Sequence, residues 1–506
     1  MSRKKGVILS YVLMAFEVIS TLLLTPFIIR TIGQAEYGVF RLSTAIVTYL
    51  LLLDLGVGNA VVRYIAKFRA NNDETSNKKF LGIVTVYYAI ISVIVIAVGF
   101  VMIMLFPTVF SNGLSADEIV LGQKLLGITI LNTAVTIGTA AYNNVIIGYE
   151  RFDVSKSASI IQIAVRIALT ILALKLGMGS IGVAVVNLIM TVLCRAFFIF
   201  YVLFKIKLKP VFKNFDFKFI KEIFIYSSFI LLQMIATQIN AFADQVLLGI
   251  IVQNASVIIA VYSVGQILCQ YFQTIGSSVT GVLMPGVVKM IESHSDSKKI
   301  SKEMIRIGRI IFMLLAFIWV CFLVYGKQFI LLWVGDNGNE SYFVAIVLMF
   351  AHTFILTESI GTQILWAMNE QKEQSVLKIL IVIVNVVLTV FLIQWNPILG
   401  ATIGTFISLI LGDVFVMNLI FAKKIKLNIL EYYKELFKGI ILCLLISGLA
   451  GFGFSFLNLS GWLGFVINIS VMAVFYIIPM LIFGMNRQEK NMIKDIIFHF
   501  NKKRIK

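Results

Sequence analysis

The sequence predicts an all-α polytopic membrane protein: fourteen transmembrane helices, arranged as two pseudo-symmetric six-helix lobes followed by a C-terminal helix pair. Three observations carry this reading. The 506-residue chain is 59% hydrophobic and only 13% charged, with a mean hydropathy of +0.97, whereas ordinary soluble domains are about 25% charged. Apolar stretches reach, again and again, the roughly 20 residues that a helix needs to cross a bilayer. Between these stretches the basic residues alternate from side to side, and a pattern in the first half of the chain returns in the second.

The spans fall near residues 7–29, 39–62, 80–106, 119–148, 157–177, 180–204, 222–250, 255–286, 305–334, 341–368, 374–395, 398–421, 434–457 and 460–484. The first follows a short basic start, contains Glu17 and lacks a small-residue cleavage site, so it reads as an uncleaved helix and not a signal peptide. With the N-terminus inside, only Arg30, Arg41, Lys124, Lys175 and Lys327 of the 43 Lys and Arg fall in outside loops, while 36 fall inside. Positive charge marks the cytoplasmic side, so both termini are expected there.

The stretch at 52–67, LLDLGVGNAVVRYIAK, begins as membrane helix, carries Asp54, loosens at Gly56 and Gly58, and ends in basic residues. AVVRYI at 60–65 is echoed by GVVKMI at 286–291, an offset close to those relating Tyr37 to Tyr262, Glu17 to Asp244, and Glu150 and Ser155 to Glu370 and Ser375. An even number of helices per repeat gives both copies the same orientation, with a pseudo-twofold along the membrane normal. The expected organisation is an N-lobe at 1–204, a basic cytoplasmic linker at 205–221, a C-lobe at 222–421, and a final helix pair with a basic cytoplasmic tail at 422–506.

Composition excludes several classes. The net charge of +18 lies in loops between apolar runs, where it sets topology and does not point to nucleic acid. Cys194, Cys269, Cys321 and Cys443 all fall in apolar segments without CxxC spacing, and three scattered histidines suggest no metal cluster. There is no GxxxxGK[ST], no GxSxG and no HExxH, so neither ATP hydrolysis nor catalysis has a visible address. The outside loops are short, which disfavours a membrane glycosyltransferase or glycan polymerase.

Ionisable residues inside spans are the first candidates for function: Glu17, Asp54, Arg166, Arg195, Asp244, His352, Glu358 and Asp413. Such groups either line a wet cavity or pair between helices. Pairing or snorkelling is the favoured reading for His352 and Asp413, nearer helix ends; a functional role is favoured for Glu17 and Arg166. Polar residues recur every three or four positions in four helices: Gln162, Arg166 and Thr170; Asn187, Thr191 and Arg195; Gln233, Thr237, Asn240 and Asp244; Gln266, Gln270, Gln273 and Ser277. That spacing puts each set on one face. A guanidinium forks onto phosphate or carboxylate oxygens, so Arg166 and Arg195 are candidates for an anionic headgroup, with neutralisation of Glu17 or Asp54 as the competing use. Gln162, Asn187, Gln233, Asn240 and Gln270 are candidates for further substrate contacts. Glu17, Asp54, Asp244 and Glu358 are candidates for a coupling ion. No cofactor is expected beyond a coupling proton or sodium ion.

TPFIIRTIGQAEYGVFRL at 25–42, LDLGVGNAVVRYIAK at 53–67 and GYERFDVSKSASIIQ at 148–162 resemble a polysaccharide or O-antigen flippase (Wzx-type) of the multidrug/oligosaccharidyl-lipid/polysaccharide (MOP) exporter superfamily. The resemblance extends over essentially the whole chain. It implies a MATE/MOP-like fold in the bacterial plasma (inner) membrane, alternating access, coupling to a proton or sodium gradient, and an undecaprenyl-diphosphate-linked oligosaccharide as substrate. It also implies a groove for the lipid tail at helices 13 and 14, with the pathway's polymerase and chain-length regulator as candidate partners. It supplies no strict motif for the site. A multidrug/cation antiporter of the same superfamily is the main rival; it would normally have twelve helices and a cavity with acids and aromatics.

Overall fold

The computed structural model describes residues 3–54, 56–212, 235–292, 297–335, 339–368, 370 and 372–491. Among these, every regular element is helical. Eleven segments are long and apolar enough to cross a membrane, and a twelfth, Ile429–Phe437 with Ile440–Ser455, qualifies if its 42° bend lies within one span. Helices dominate because a span in hydrocarbon must satisfy its backbone hydrogen bonds within itself.

The chain opens with α1 (Arg3–Thr48), a 3₁₀ segment (Tyr49–Asp54) and α2 (Val57–Ala70). The sequence reading has separate spans at 7–29 and 39–62. The structure instead runs helix through the intervening residues, broken only where Gly33 adopts φ 83°, ψ 168°. Its next interruption is at Gly56 (φ 70°), so the second apolar stretch ends at Asp54 and does not continue to residue 62. Both breaks use left-handed backbone that glycine tolerates and other residues resist.

Next come α3 (Glu74–Phe110), α4 (Ala116–Gly138), α5 (Ala140–Gly148), α6 (Phe152–Lys175), α7 (Gly179–Phe200) and α8 (Ile235–Ile251). Their starts carry local signals. Asp73 caps α3 by accepting from the Ser76 amide at 2.9 Å. Ser115 and Glu118 form a reciprocal capping box at α4. The cap of α7 comes from far away: Glu36 of α1 accepts from the Ser180 amide at 2.6 Å. A carboxylate at a helix N-terminus is favoured by the orphan amides and the helix dipole, and this one ties α1 to α7.

The second half comprises α9 (Ala255–Glu292), α10 (Ser297–Val334), α11 (Asn339–Thr357), α12 (Ser359–Ala367), α13 (Lys372–Ile393), α14 (Pro397–Leu409) and α15 (Met417–Lys424). It ends with α16 (Ile429–Phe437), α17 (Ile440–Ser455) and α18 (Gly461–Pro479). A π segment, Ile410–Val416, joins α14 to α15.

Two compact units emerge from these helices. One is Met1–Ser263 with Val382–Gly404, the other Val264–Ile381 with Thr405–Lys506. In the first, α1 packs on α4 and α6, α3 on α4, α2 on α5, and α6 on α7. In the second, α10 is the central strut, touching α11, α16, α17 and α18. Large apolar side chains such as Ile90, Val93, Phe100 and Met104 of α3 and Leu449, Phe452 and Leu463 of the last pair are exposed. In a soluble protein such surface would be an aggregation hazard; here it is the face that meets lipid.

Polar contacts fasten the last helix pair to α10. Tyr325 donates to the Gly451 carbonyl at 2.6 Å, Gln328 to Leu459 at 2.8 Å, and Tyr476 back to Met313 at 2.7 Å. At the other end of α10, Arg309 meets Glu489 at 2.6 Å, both side chains being almost fully buried. Its remaining donors reach the carbonyls of Gly484 (2.8 Å), Lys438 (3.1 Å) and Glu435. One guanidinium thus closes the ends of α16 and of the segment after α18.

Breaking a buried pair from one side leaves a bare charge and costs about 3–5 kcal/mol, whereas replacing both partners with apolar residues is far milder. Arg309→Met is therefore expected to destabilise the detergent-solubilised protein strongly. Arg309→Met/Glu489→Leu should regain part of that loss but not all, because three carbonyls lose their donor. Thermal unfolding followed by size-exclusion chromatography checks the order; equal losses in the single and double variants would contradict it.

Candidate functional site

Two buried carboxyl groups, one in each unit, gather polar side chains from separate helices. The first is Asp244, the last member of the polar face of α8 and almost completely buried. The start of α9 brings Tyr262, whose hydroxyl donates to Asp244 Oδ2. Residues Asn385 and Thr389, four apart on α13, supply the rest. Thr389 Oγ1 lies 3.3 Å from Asp244 Oδ1 and 3.1 Å from Asn385 Oδ1. The Asn385 amide donates to Asn240 Oδ1 at 2.6 Å. Gly404 of α14 makes room for this arrangement, since a Cβ there would sit 2.7 Å from Thr389 Oγ1.

The cluster therefore offers one carboxylate together with the oxygens of Tyr262, Thr389, Asn385 and Asn240. Oxygen ligands suit hard cations. A single carboxylate balances a proton or a monovalent ion, and among the described residues no set of three or more acids, histidines and cysteines comes together for a metal.

The second group is Glu358, at the junction between α11 and α12 and 2% exposed. Its Oε1 accepts from Asn418 Nδ2 at 2.8 Å and from the Tyr433 hydroxyl. Asn418 also donates to the Val414 carbonyl at 2.9 Å, within the π segment. The neighbouring Tyr432 binds the Thr357 carbonyl at 3.1 Å. Glu358 thus joins the break in one span, the π segment of another and the short amphipathic helix α16. Its other oxygen, Oε2, is buried without a hydrogen-bond partner among the described residues. A buried acceptor left open in this way fits a proton or a cation.

The remaining candidates scatter. Asp54 is half-buried, with Tyr88 and the Gly58 amide beside its carboxylate at the start of α2. Glu17 is exposed, on a stretch of α1 where Phe16, Ile19 and Leu23 are also exposed. Arg195 is half-buried and lies over the Phe198 ring at 5.9 Å. Arg166 and Asn187 are half-buried on α6 and α7, which pack together. Gln162 lines a largely apolar groove of about 630 Å³ with Ile161, Met190, Leu193, Cys194 and Phe197, beside Asp153, Ser157 and Tyr201. Gln233 lies outside the described residues. Gln270 lines an open polar cleft on α9. Asp413 pairs with Lys378 at 2.6 Å, the structural role favoured for it, and His352 is half-buried on α11.

Tyr262, Asn385, Thr389, Asn418 and Tyr433 are the participants that the candidate set lacks. Asn385 and Thr389 had a signal, a polar pair four residues apart in an otherwise apolar run. Tyr262 stood out only as the counterpart of Tyr37 in the internal echo, and Tyr433 had no signal, because an aromatic there reads as packing.

Comparison with known proteins places these features. The chain is 22% identical over 405 residues to a provisionally named O-antigen transporter of Shigella flexneri, covering 78% of this chain and 92% of that one. Its fold is similar to that of the lipid II flippase MurJ in an inward closed conformation, with a TM-score of 0.71, 17% identity, and coverage of 94% of this chain and 98% of MurJ. An inward-facing multidrug resistance MATE family transporter of the MOP superfamily gives a TM-score of 0.60 at 14% identity, over 82% of this chain and 95% of the transporter. The MurJ and MATE likenesses show a shared fold. The sequence profile of the polysaccharide biosynthesis protein family matches residues 4–291, more than half of the sequence, and the chain belongs to that family.

Proposed function

We propose that the chain is a flippase that moves undecaprenyl-diphosphate-linked oligosaccharide repeat units from the cytoplasmic to the outer face of the bacterial plasma membrane. It would work by alternating access of two six-helix lobes, 1–204 and 222–421, driven by a proton or sodium gradient. The observation that carries the reading is the extent of the fold. Likeness to a lipid flippase runs through 94% of the chain, whereas likeness to the multidrug transporter stops at 82%. The family match and the relative named for O-antigen transport support the same substrate class.

The fourteen-span topology fits the helices. Twelve candidate spans are present when the bent pair counts as one. The segment Leu9–Asp54 has 46 residues, about twice what one crossing needs, and Gly33 divides it. Ile235–Ile251, apolar but shorter than the candidate spans, would supply the last. With both termini inside, the basic residues follow the positive-inside pattern. The chain would be a transporter and not an enzyme, with the pathway's polymerase and chain-length regulator as protein partners.

In this scheme Arg166 and Arg195 meet the pyrophosphate, and Asp244 with its ring of oxygens takes the coupling ion. The multidrug-antiporter reading draws on the same acid cluster but gives the arginines and the terminal helix pair no role.

Complementation tests the substrate. In a flippase-deleted bacterium carrying the matching glycan pathway, the wild-type chain is expected to restore surface polysaccharide and clear accumulated lipid-linked repeat units. Arg166→Ala and Arg195→Ala, at equal membrane levels, should lower export by about tenfold or more, the loss of a charge-assisted contact, with Arg166→Lys intermediate. Export that survives both alanines would remove the arginines from the site; failure of the wild type would favour the antiporter.

Cation binding tests the coupling site. A ligand at ten times its Kd stabilises the folded state by about 1.4 kcal/mol. Thermal unfolding in sodium against choline at fixed ionic strength, repeated across pH, should show that increment in the wild type and not in Asp244→Asn or Thr389→Val. An unchanged response in Asp244→Asn would place the ion elsewhere.

A further inference from the structure

The polar face of α9 is not uniform along its length. At one end Gln266 is buried. At the other, Thr280 shares a hydrogen bond with Ser359 at 2.8 Å. Between them, Gln270, Gln273, Thr274, Ser277 and Ser278 line an open cleft of about 520 Å³. Their spacing of three and four residues makes two adjacent rows on one face. The ends of the face serve helix packing, and its middle turns are left open.

The chemistry of this middle section is specific. Thr274 Oγ1 donates to the Gln270 carbonyl at 2.9 Å, Ser277 Oγ to Gln273 at 2.8 Å, and Ser278 Oγ to Thr274 at 2.7 Å. Each hydroxyl has one proton, and here each proton is committed to the backbone four residues back. What the hydroxyls of Thr274 and Ser277 can present to a ligand is lone pairs, whereas Ser278 makes a further contact besides this bond. The two glutamine side chains add amides that both donate and accept, and none of the five is charged. An array dominated by neutral acceptors is a poor match for a pyrophosphate, which needs donors and positive charge. It is a good match for a ligand rich in hydroxyl donors.

We propose that this face of α9 reads the glycan of the transported lipid, with Thr274 and Ser277 accepting from sugar hydroxyls and Gln270 and Gln273 bridging donors and acceptors. The proposal rests on the flippase reading and adds to it a division of the substrate: headgroup sugars on α9, pyrophosphate elsewhere.

Binding to the full chain in lipid nanodiscs tests it with two probes. One is undecaprenyl diphosphate without sugar; the other is the lipid-linked repeat unit extracted from a host strain lacking this chain. The variants are Thr274→Val/Ser277→Ala, nearly isosteric, and Gln270→Leu/Gln273→Leu. Each variant is expected to lose about tenfold or more in affinity for the repeat unit, as several neutral hydrogen bonds disappear. Its affinity for the bare diphosphate should stay within about twofold, which also reports that it is folded. Equal weakening toward both probes, or undiminished binding of the repeat unit, would overturn the proposal. So would a wild type that does not prefer the glycosylated probe. A wild type that binds neither probe would instead overturn the flippase reading. If the glutamine variant fails to fold, the hydroxyl variant decides alone.

Discussion

A carboxylate removed from water needs a partner or a proton, and among the described residues four have left it: Asp244, Glu358, Asp413 and Glu489. Glu489 meets a guanidinium, that of Arg309, and Asp413 meets an ammonium, that of Lys378. These are closed pairs, in which charge is balanced and helices are fixed together. Glu358 is surrounded differently: its partners Asn418 and Tyr433 bring amide and hydroxyl donors. Tyr262 and Thr389 bring hydroxyls to Asp244. Such donors orient a carboxyl group without cancelling its charge. An acid held in that manner can still respond to an arriving cation or proton, which a salt-bridged acid does only by breaking the bridge. Depth of burial alone does not separate these surroundings, since Asp244 and Glu489 are both almost fully buried.

Much of the helical layout was legible because hydrocarbon enforces it. A stretch of about 20 apolar residues has few alternatives to a helix, and helices do occupy such stretches through the described chain. Faces were less legible. The four-residue spacing of Gln162 and Arg166 correctly puts them on one side of α6, yet Gln162 looks into a groove walled by Met190 and Leu193. Periodicity says which residues share a face and not what the face meets. Glu17 shows the same limit, being exposed among apolar neighbours. Asp244 and the α9 stripe could be picked out from their own helices. Tyr262, Asn385 and Thr389 complete the Asp244 cluster only through tertiary packing, and Arg309 and Glu489 lie 180 residues apart. No local pattern announces such pairs.

Backbone irregularity accompanies some of the acids, though not Asp244, which lies within the regular α8. Asp54 ends a 3₁₀ segment just before a left-handed glycine, Glu358 stands at the break between α11 and α12, and Asp413 lies inside a π segment. A π turn adds a residue to the helix and rotates everything after it. Here that rotation separates α14 from α15, and the first turn of α15 carries Asn418, which donates to Glu358. An unbroken α-helix from Pro397 to Lys424 would turn Asn418 toward a different side, leaving the Glu358 carboxyl with one donor fewer. Irregular segments of this kind are tolerated in a span only where protein groups take up the freed backbone, as Asn418 does at the Val414 carbonyl.

The open part of α9 illustrates the opposite use of a helix. Its hydroxyls lie on regular backbone and return their protons to it, so nothing in the helix must change for them to meet a ligand. Gln270, Thr274 and Ser278 follow one another at four-residue steps, which sets them about 6 Å apart along the axis. The result is a periodic row of neutral groups, suited to a ligand that is itself a string of similar hydroxylated units. Such a row imposes weak, repeated contacts with no single strong anchor. A carrier that must release what it has bound gains from that, because each contact can be exchanged for water one at a time. Stronger polar contacts are kept for the buried acids, and at Glu358 and Asp413 the backbone itself departs from a regular helix.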